Sequence, residues 1–229
     1  MITQEVEDID IEEYCYETNL DFGKEYGQRL LDAIITDNSF LIQRKQYLDP
    51  RVDMKEVFHK LTSIADGRLL KKRGEQVHAA YQGLVHIDFK QYSLSDIWVD
   101  ELNKLMPSWL TEISSIPIIQ ISQGGDFLAP HKDHKRTASL FMILQGNKEQ
   151  TRWYRETDEF PLLDFWRVPD LDKIELVASA NIEEFKWTVF NHDAWHSVHG
   201  VPGQPRITIG IDFDSISAKE LAELVKQHE

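Results

Sequence analysis

Residues 130–144 read PHKDHKRTASLFMIL, with His, Asp and His inside four positions just ahead of an apolar run. Imidazole nitrogens and carboxylate oxygens are ligands for transition-metal ions. Side chains alternate between faces in an extended chain, so His131 and Asp133 share one face while Lys132 and His134 turn to the other. Two ligands do not close a site. A third has to come from elsewhere, and NHDAWHSVHGV (191–201) offers His192, His196 and His199. An H-x-D triplet by itself also describes a solvated turn, so the weight falls on what accompanies it.

RITIGIDF (206–213) accompanies it. The same alternation sets Arg206, Thr208 and Gly210 on one face and Ile207, Ile209 and Ile211 on the other, which suits a core. A guanidinium and a hydroxyl two residues apart form a cradle for a carboxylate, since Arg grips one with two parallel hydrogen bonds and Thr adds a donor. An inward Arg without a partner is costly, so its presence implies an anion. Two His and one carboxylate on an octahedral ion leave three positions open, the ligand pattern of non-heme Fe(II) oxygenases.

The elements that must position these groups are short strands. IPIIQIS (116–122), TASLFMIL (137–144), QTRWYRE (150–156), KIELVASA (173–180), FKWTVFN (185–191), HSVHGV (196–201) and RITIGIDF are β-branched and aromatic runs divided by turn residues. Such a series reads as a sandwich or barrel. FPLLDFWRVPDLD (160–172) is too long for a hairpin turn and is expected to cover a face or act as a lid. Helical spacing appears earlier, in 24–36 through Tyr26, Leu30 or Leu31 and Ile34, and in 53–65 through Met54, Val57, Leu61 and Ile64. A third helix is expected over 93–113, with Ile97, Leu102 and Leu105 on its apolar face and a break at Pro107. Ser217 followed by Glu220 is a capping signal for a last short helix carrying Leu221, Leu224 and Val225. The expected fold is mainly β, with flanking helices packed around a β-sandwich core whose strands lie in the C-terminal half. Residues 1–115 would pack on that core, 116–214 would form it with an insertion at 157–172, and 215–229 would close it with a helix.

Residues 118–213 resemble the double-stranded β-helix, or jelly-roll, core of the 2-oxoglutarate- and Fe(II)-dependent dioxygenase superfamily. HKD matches its H-x-D motif, WHSVHGV resembles its distal-histidine strand, and RIT its R-x-S/T motif. NHDAWHSV…PRITIGIDF is similar to aspartyl/asparaginyl and prolyl hydroxylases. In that family the Arg follows the distal His by about ten positions, which selects His196 over His199. The resemblance therefore implies Fe(II) held by His131, Asp133 and His196, and 2-oxoglutarate as cosubstrate with its far carboxylate on Arg206 and Thr208. It implies hydroxylation of an amino acid, a peptidyl side chain or another small metabolite. Relatives often carry Pro-Gly in the turn ahead of the distal-histidine strand; SANIEEFKWTVFN has neither. Two other readings stand beside this one. A cupin-type metalloenzyme on a similar barrel would need no 2-oxoglutarate and would draw a further His ligand from His134 or His199. A non-catalytic jelly-roll module would keep the fold and lose the chemistry.

Composition narrows the partners. Net charge is −14 over 229 residues, which disfavours nucleic acid, whose binding rests on neutralising phosphates. Six carboxylates and no Lys or Arg fall in residues 1–13, read as a solvated, partly mobile end. KDHKR and KEQTRWYR concentrate positive charge and are read either as flanks of the site that favour an anionic substrate or as a solvated rim. Cys15 is the only cysteine, so no internal disulfide and no Cys-based zinc site can form. No basic-then-apolar start and no apolar run near ~20 residues is visible, so a cytoplasmic protein without a membrane span is expected. His59, His78, His86, His192 and His199 are read as structural, and Trp153, Trp166, Trp187 and Trp195 as core or lid.

Overall fold

The computed structural model describes residues 2–4, 11–44, 90–122, 127–133, 136–146, 150–157, 173–199, 205–213 and 215–229, with backbone alone at 2–4, 90, 127–129, 131 and 199. The helix expected over 53–65, the 158–172 part of the insertion, His59, His78, His86, His134 and Trp166 lie outside the described residues.

Strands β5 (Ile118–Ser122), β6 (Phe127–His131), β7 (Ala138–Gln145), β8 (Gln150–Glu156), β9 (Ile174–Ala180), β10 (Trp187–Asn191), β11 (Trp195–His199) and β12 (Arg206–Phe213) carry the core. They are divided between two antiparallel sheets, with β5, β7, β10 and β12 in one and β6, β8, β9 and β11 in the other. Successive strands swap sheets except β8 and β9, which pair with each other. This is the strand order of a double-stranded β-helix. Four further strands extend the sheets: β1 (Ile2–Gln4) beside β9, β2 (Cys15–Glu17) beside β10, and β4 (Lys90–Ser93) then β3 (Ile42–Gln43) beyond β5.

Strand β7 is buried along almost its whole length because both its faces are covered. Leu140, Met142 and Leu144 meet Tyr26, Leu30 and Ile34 of α1 (Lys24–Thr36) in one apolar cluster. Phe141 and Ile143 face the other way, into a cluster with Trp153, Val177 and Phe190 between the sheets. Helix α1 lies so close that a Cβ on Gly27 would stand 2.9 Å from Met142 Sδ. At the other end of the chain α4 (Ala218–Lys226) has the expected capping box: Ser217 Oγ accepts from Glu220 N–H, and the Glu220 carboxylate accepts from Ser217 N–H.

Three expectations need correction. Residues 2–4 are paired strand rather than a solvated end, in register with Ala178–Ala180. Strands are not confined to the C-terminal half, since β1–β4 precede it. The 93–113 segment does break at Pro107, into α2 (Asp96–Leu105) and α3 (Ser108–Ile113), but its apolar face differs. Ile97 is 78% and Leu105 42% exposed, while Leu102 is buried and Trp98 packs on Tyr26 and Phe40. No helix among the described residues is long and apolar enough to cross a membrane.

Candidate metal centre

Strand β6 ends at His131, whose backbone is the cross-strand partner of His196 on β11. The His131 side chain lies outside the description, as does that of His199. Lys132 turns outward, as alternation requires, to sit 4.9 Å above the Trp195 ring and 3.2 Å from Glu156 Oε1. Trp195 Nε1–H donates to the same carboxylate oxygen, and these two donors hold the Glu156 carboxyl below its ordinary value. Asp133 follows in the loop, anchored by its N–H to the His192 carbonyl at 3.2 Å.

Asp133, His192 and His196 come together: one ligand atom from each lies within 4.8 Å of the others. His196 is 3% exposed, with its ring edge-on to Phe190. Its Nδ1 is 2.9 Å from the Ala194 carbonyl, so Nδ1 carries the proton and Nε2 the lone pair, the state in which imidazole binds a metal. His192 is placed differently. Its Nδ1 lies 2.5 Å from Asp133 Oδ2 and its Nε2 2.7 Å from Ser139 Oγ. Burial pushes its pKa down, Arg136 adds to this, and Asp133 opposes it. The ring is therefore neutral; Nδ1 lies against the Asp133 carboxylate without hydrogen-bond geometry, and Nε2 pairs with the Ser139 hydroxyl. Sequence reasoning saw His192 only as a structural residue. The one signal in the sequence was its i,i+4 spacing to His196, which says nothing of Asp133 without the loop geometry.

Arg136 completes the charged group. Its Nε is 2.8 Å from Asp133 Oδ2 and its Nη1 2.9 Å from Asp212 Oδ1. Burial works against its charge, and the two carboxylates more than compensate, holding its pKa up. Three of the basic residues flanking the site are paired with carboxylates: Arg136 with two aspartates, Lys132 with Glu156 and Arg155 with Glu175.

Inside the barrel a cavity of about 60 Å³ runs from this group toward the start of β12. It has room for roughly four waters at about 15 Å³ each. His196 and His192 line one part of it, and Arg206, Thr208 and Gln120 another, with Phe141 and Phe190 as apolar walls. Thr208 is 2% exposed and its Oγ1 lies 3.5 Å from Gln120 Oε1. Gly146, at φ 123°, crosses Arg206 so closely that a Cβ there would stand 3.3 Å from its Cα, Cβ and Cγ. Ile207, Ile209 and Ile211 point to the helix-covered core, so both faces of β12 are used as the alternation predicts.

The donors fit a divalent cation: a carboxylate, a buried imidazole with Nε2 as its acceptor, and two aspartates against one nearby guanidinium.

No family model matches the sequence, and no curated protein is significantly similar to it. Solved structures with a similar chain path include a non-heme monooxygenase, ThoJ, in its apo form (11% identity, TM-score 0.44, covering 90% of this chain and 75% of that one). The ribosomal oxygenase YcfD of Escherichia coli is another (15% identity, TM-score 0.34, 61% of this chain and 36% of that one). So is vicilin from Corylus avellana, hazelnut (8% identity, TM-score 0.33, 56% of this chain and 29% of that one). The chain thus spans about a third of the length of the latter two. At these identities no activity passes from them to this protein.

Proposed function

We propose that the protein is a 2-oxoglutarate- and Fe(II)-dependent hydroxylase of an amino acid, a peptidyl side chain or another small metabolite. His131, Asp133 and His196 would hold the metal, and Arg206 and Thr208 the far carboxylate of the cosubstrate. The observation that carries this reading is a single cavity lined by His196 at one part and by Arg206 with Thr208 at another. When bound, metal and cosubstrate would activate dioxygen, one oxygen atom entering the substrate C–H bond and the other the succinate formed as the cosubstrate loses CO₂.

The chain's own residues do the rest. Ala194 O orients His196 through Nδ1–H, and His192 and Arg136 orient Asp133 through Oδ2. Arg206 offers a planar fork to a carboxylate and Thr208 a hydroxyl. Phe141 and Phe190 give the space between them apolar walls.

A second reading has one observation in its favour. Asp133, His192 and His196 can themselves serve as a three-ligand set, in a cupin-type metalloenzyme that needs no 2-oxoglutarate. Against it, His192 Nε2 is already paired with Ser139 Oγ, at 2.7 Å.

Anaerobic titration with Fe(II) and then 2-oxoglutarate separates the two. The hydroxylase reading expects a weak visible metal-to-ligand charge-transfer band, lost in Asp133→Ala and His196→Ala and still formed at saturating iron in His192→Ala, whose affinity is lowered. Iron binding with no band and no succinate, together with loss of iron in His192→Ala, would favour the cupin reading.

A further inference from the structure

We propose that Arg136 and Asp212 form a positioning clamp that sets the carboxylate of Asp133 for metal binding. The inference rests on Asp133 being a metal ligand, which both readings above share.

Asp133 stands two residues beyond the end of β6, in a loop, where backbone pairing does not orient its side chain. A metal ligand has to be held within about 0.5 Å of its productive position, and groups behind the ligand do this. Two such groups converge here on the same oxygen. Arg136 Nε and His192 Nδ1 both meet Asp133 Oδ2, at 2.8 and 2.5 Å. Arg136 thus grips the carboxylate through Oδ2, with the His192 ring lying against the same oxygen, and on this proposal the other oxygen is the one turned to the metal.

Arg136 is itself held. Its Nη1 donates to Asp212 Oδ1, so the rigid guanidinium spans two carboxylates from different elements. Asp212 belongs to β12, on the face that also carries Arg206 and Thr208. Six residues separate Arg206 from Asp212, roughly 20 Å at about 3.3 Å per residue. One strand thus bears the anion cradle near one end and the anchor of the metal ligand near the other. The charges also suit the task. Two aspartates against one arginine leave a net negative group before a cation arrives, and each of the three side chains is only 20–23% exposed.

Two explanations of the same contacts predict opposite results. If Arg136 acted only through its charge, removing it would relieve repulsion of a divalent ion, and metal would bind more tightly. If it only closed the loop, the metal-free protein would melt lower and the folded fraction would bind metal unchanged. Positioning predicts weaker binding despite the lost repulsion.

The experiment is titration of Mn(II), followed by its EPR signal, into the wild-type protein, Arg136→Gln and Arg136→Lys. Circular dichroism melting of the metal-free proteins establishes the folded fraction. The expected result is a ten- to hundred-fold loss of Mn(II) affinity in Arg136→Gln, the range for loss of a group that orients a ligand. A smaller loss is expected in Arg136→Lys, which keeps the charge without the fork. Should Arg136→Gln fail to fold, Arg136→Lys carries the test on its own. Equal or tighter Mn(II) binding by a folded Arg136 variant overturns the clamp and leaves the hydroxylase reading standing. A wild-type protein that binds no Mn(II) or Fe(II) overturns both.

Discussion

Arg206 lines the cavity with His196 but belongs to a different strand and stands apart from the Asp133 cluster. That separation predicts a division of labour measurable one residue at a time. Arg206→Ala should leave Fe(II) binding intact, because Arg206 is not among the proposed ligands. It should raise the 2-oxoglutarate requirement roughly ten- to hundred-fold, since a charge-assisted hydrogen bond contributes roughly 1.5–3 kcal/mol and each factor of ten is about 1.4 kcal/mol. Arg206→Lys keeps the charge without the planar fork and should fall between. Thr208→Val should shift the requirement less, in the same direction. Succinate formation against 2-oxoglutarate concentration reads all three. A folded, iron-loaded Arg206→Ala protein with the wild-type requirement would take Arg206 out of the site.

Single elements are set by local chemistry that the sequence carries openly in some places and hides in others. Helix α4 begins where Ser217 and Glu220 say it should, and Leu221, Ala222 and Val225 are buried behind it. Ser217→Ala removes the cap and should cost about 1 kcal/mol, read from urea unfolding. Its pH dependence has a definite sign. Hydrogen bonds from the Ser217 side chain and backbone hold the Glu220 carboxyl below its ordinary value of 4.5. A depressed carboxyl contributes stability that is present above 4.5 and is lost as pH falls through the lower folded value. The gap between wild type and Ser217→Ala should therefore be constant from neutral pH down to about 5 and narrow below 4.5. A gap that widens in acid would contradict the capping-box contribution. The turn ahead of β10 shows the opposite case. It holds neither Pro nor Gly, and Phe185 takes the left-handed conformation there, at φ 58°. Its N–H donates to the Ile143 carbonyl at 2.8 Å, and its ring packs on the helix side of the core. Packing there offsets a backbone geometry that non-glycine residues rarely adopt.

At the scale of the molecule, the two sheets bring together residues far apart in the chain: Asp133 from the loop after β6, His192 from the bend after β10, His196 from β11 and Asp212 from β12. A ligand that holds these elements together binds the folded chain and not the unfolded one. Mn(II) with 2-oxoglutarate at 100 times the dissociation constant should stabilise the fold by about 2.7 kcal/mol, a rise of roughly 5–11 °C in Tm for a chain of this size. Thermal unfolding with and without the pair checks it. Asp133→Ala should lose most of the rise, and an unchanged wild-type Tm would argue against a metal centre in this barrel.

How much of this was legible beforehand follows from the range of the forces involved. Alternation along β12 placed Arg206 and Thr208 on one face and three isoleucines on the other, because the period of two in a strand is local and each side of β12 is covered. The strand runs after Ile116, the break at Pro107 and the cap at Ser217 were readable for the same reason: each depends on neighbours within a few residues. The spacing from His196 to Arg206 was readable because both sit on consecutive strands of the core. Other features depended on contacts between distant segments. Residues 2–4 belong to an acidic stretch that reads as a solvated end until the open edge of β9 supplies a partner for their backbone. Ile97 has helical spacing with Leu102, but only the position of Trp98 against Tyr26 shows which side of α2 is buried. His192 and Arg136 carry no mark of their role in sequence. Ser139 and Asp133 lie 53 and 59 positions from His192, and Asp133 and Asp212 lie three and 76 from Arg136; they become neighbours only when the barrel closes, because hydrogen bonds and ion pairs act over a few ångströms whatever the distance along the chain.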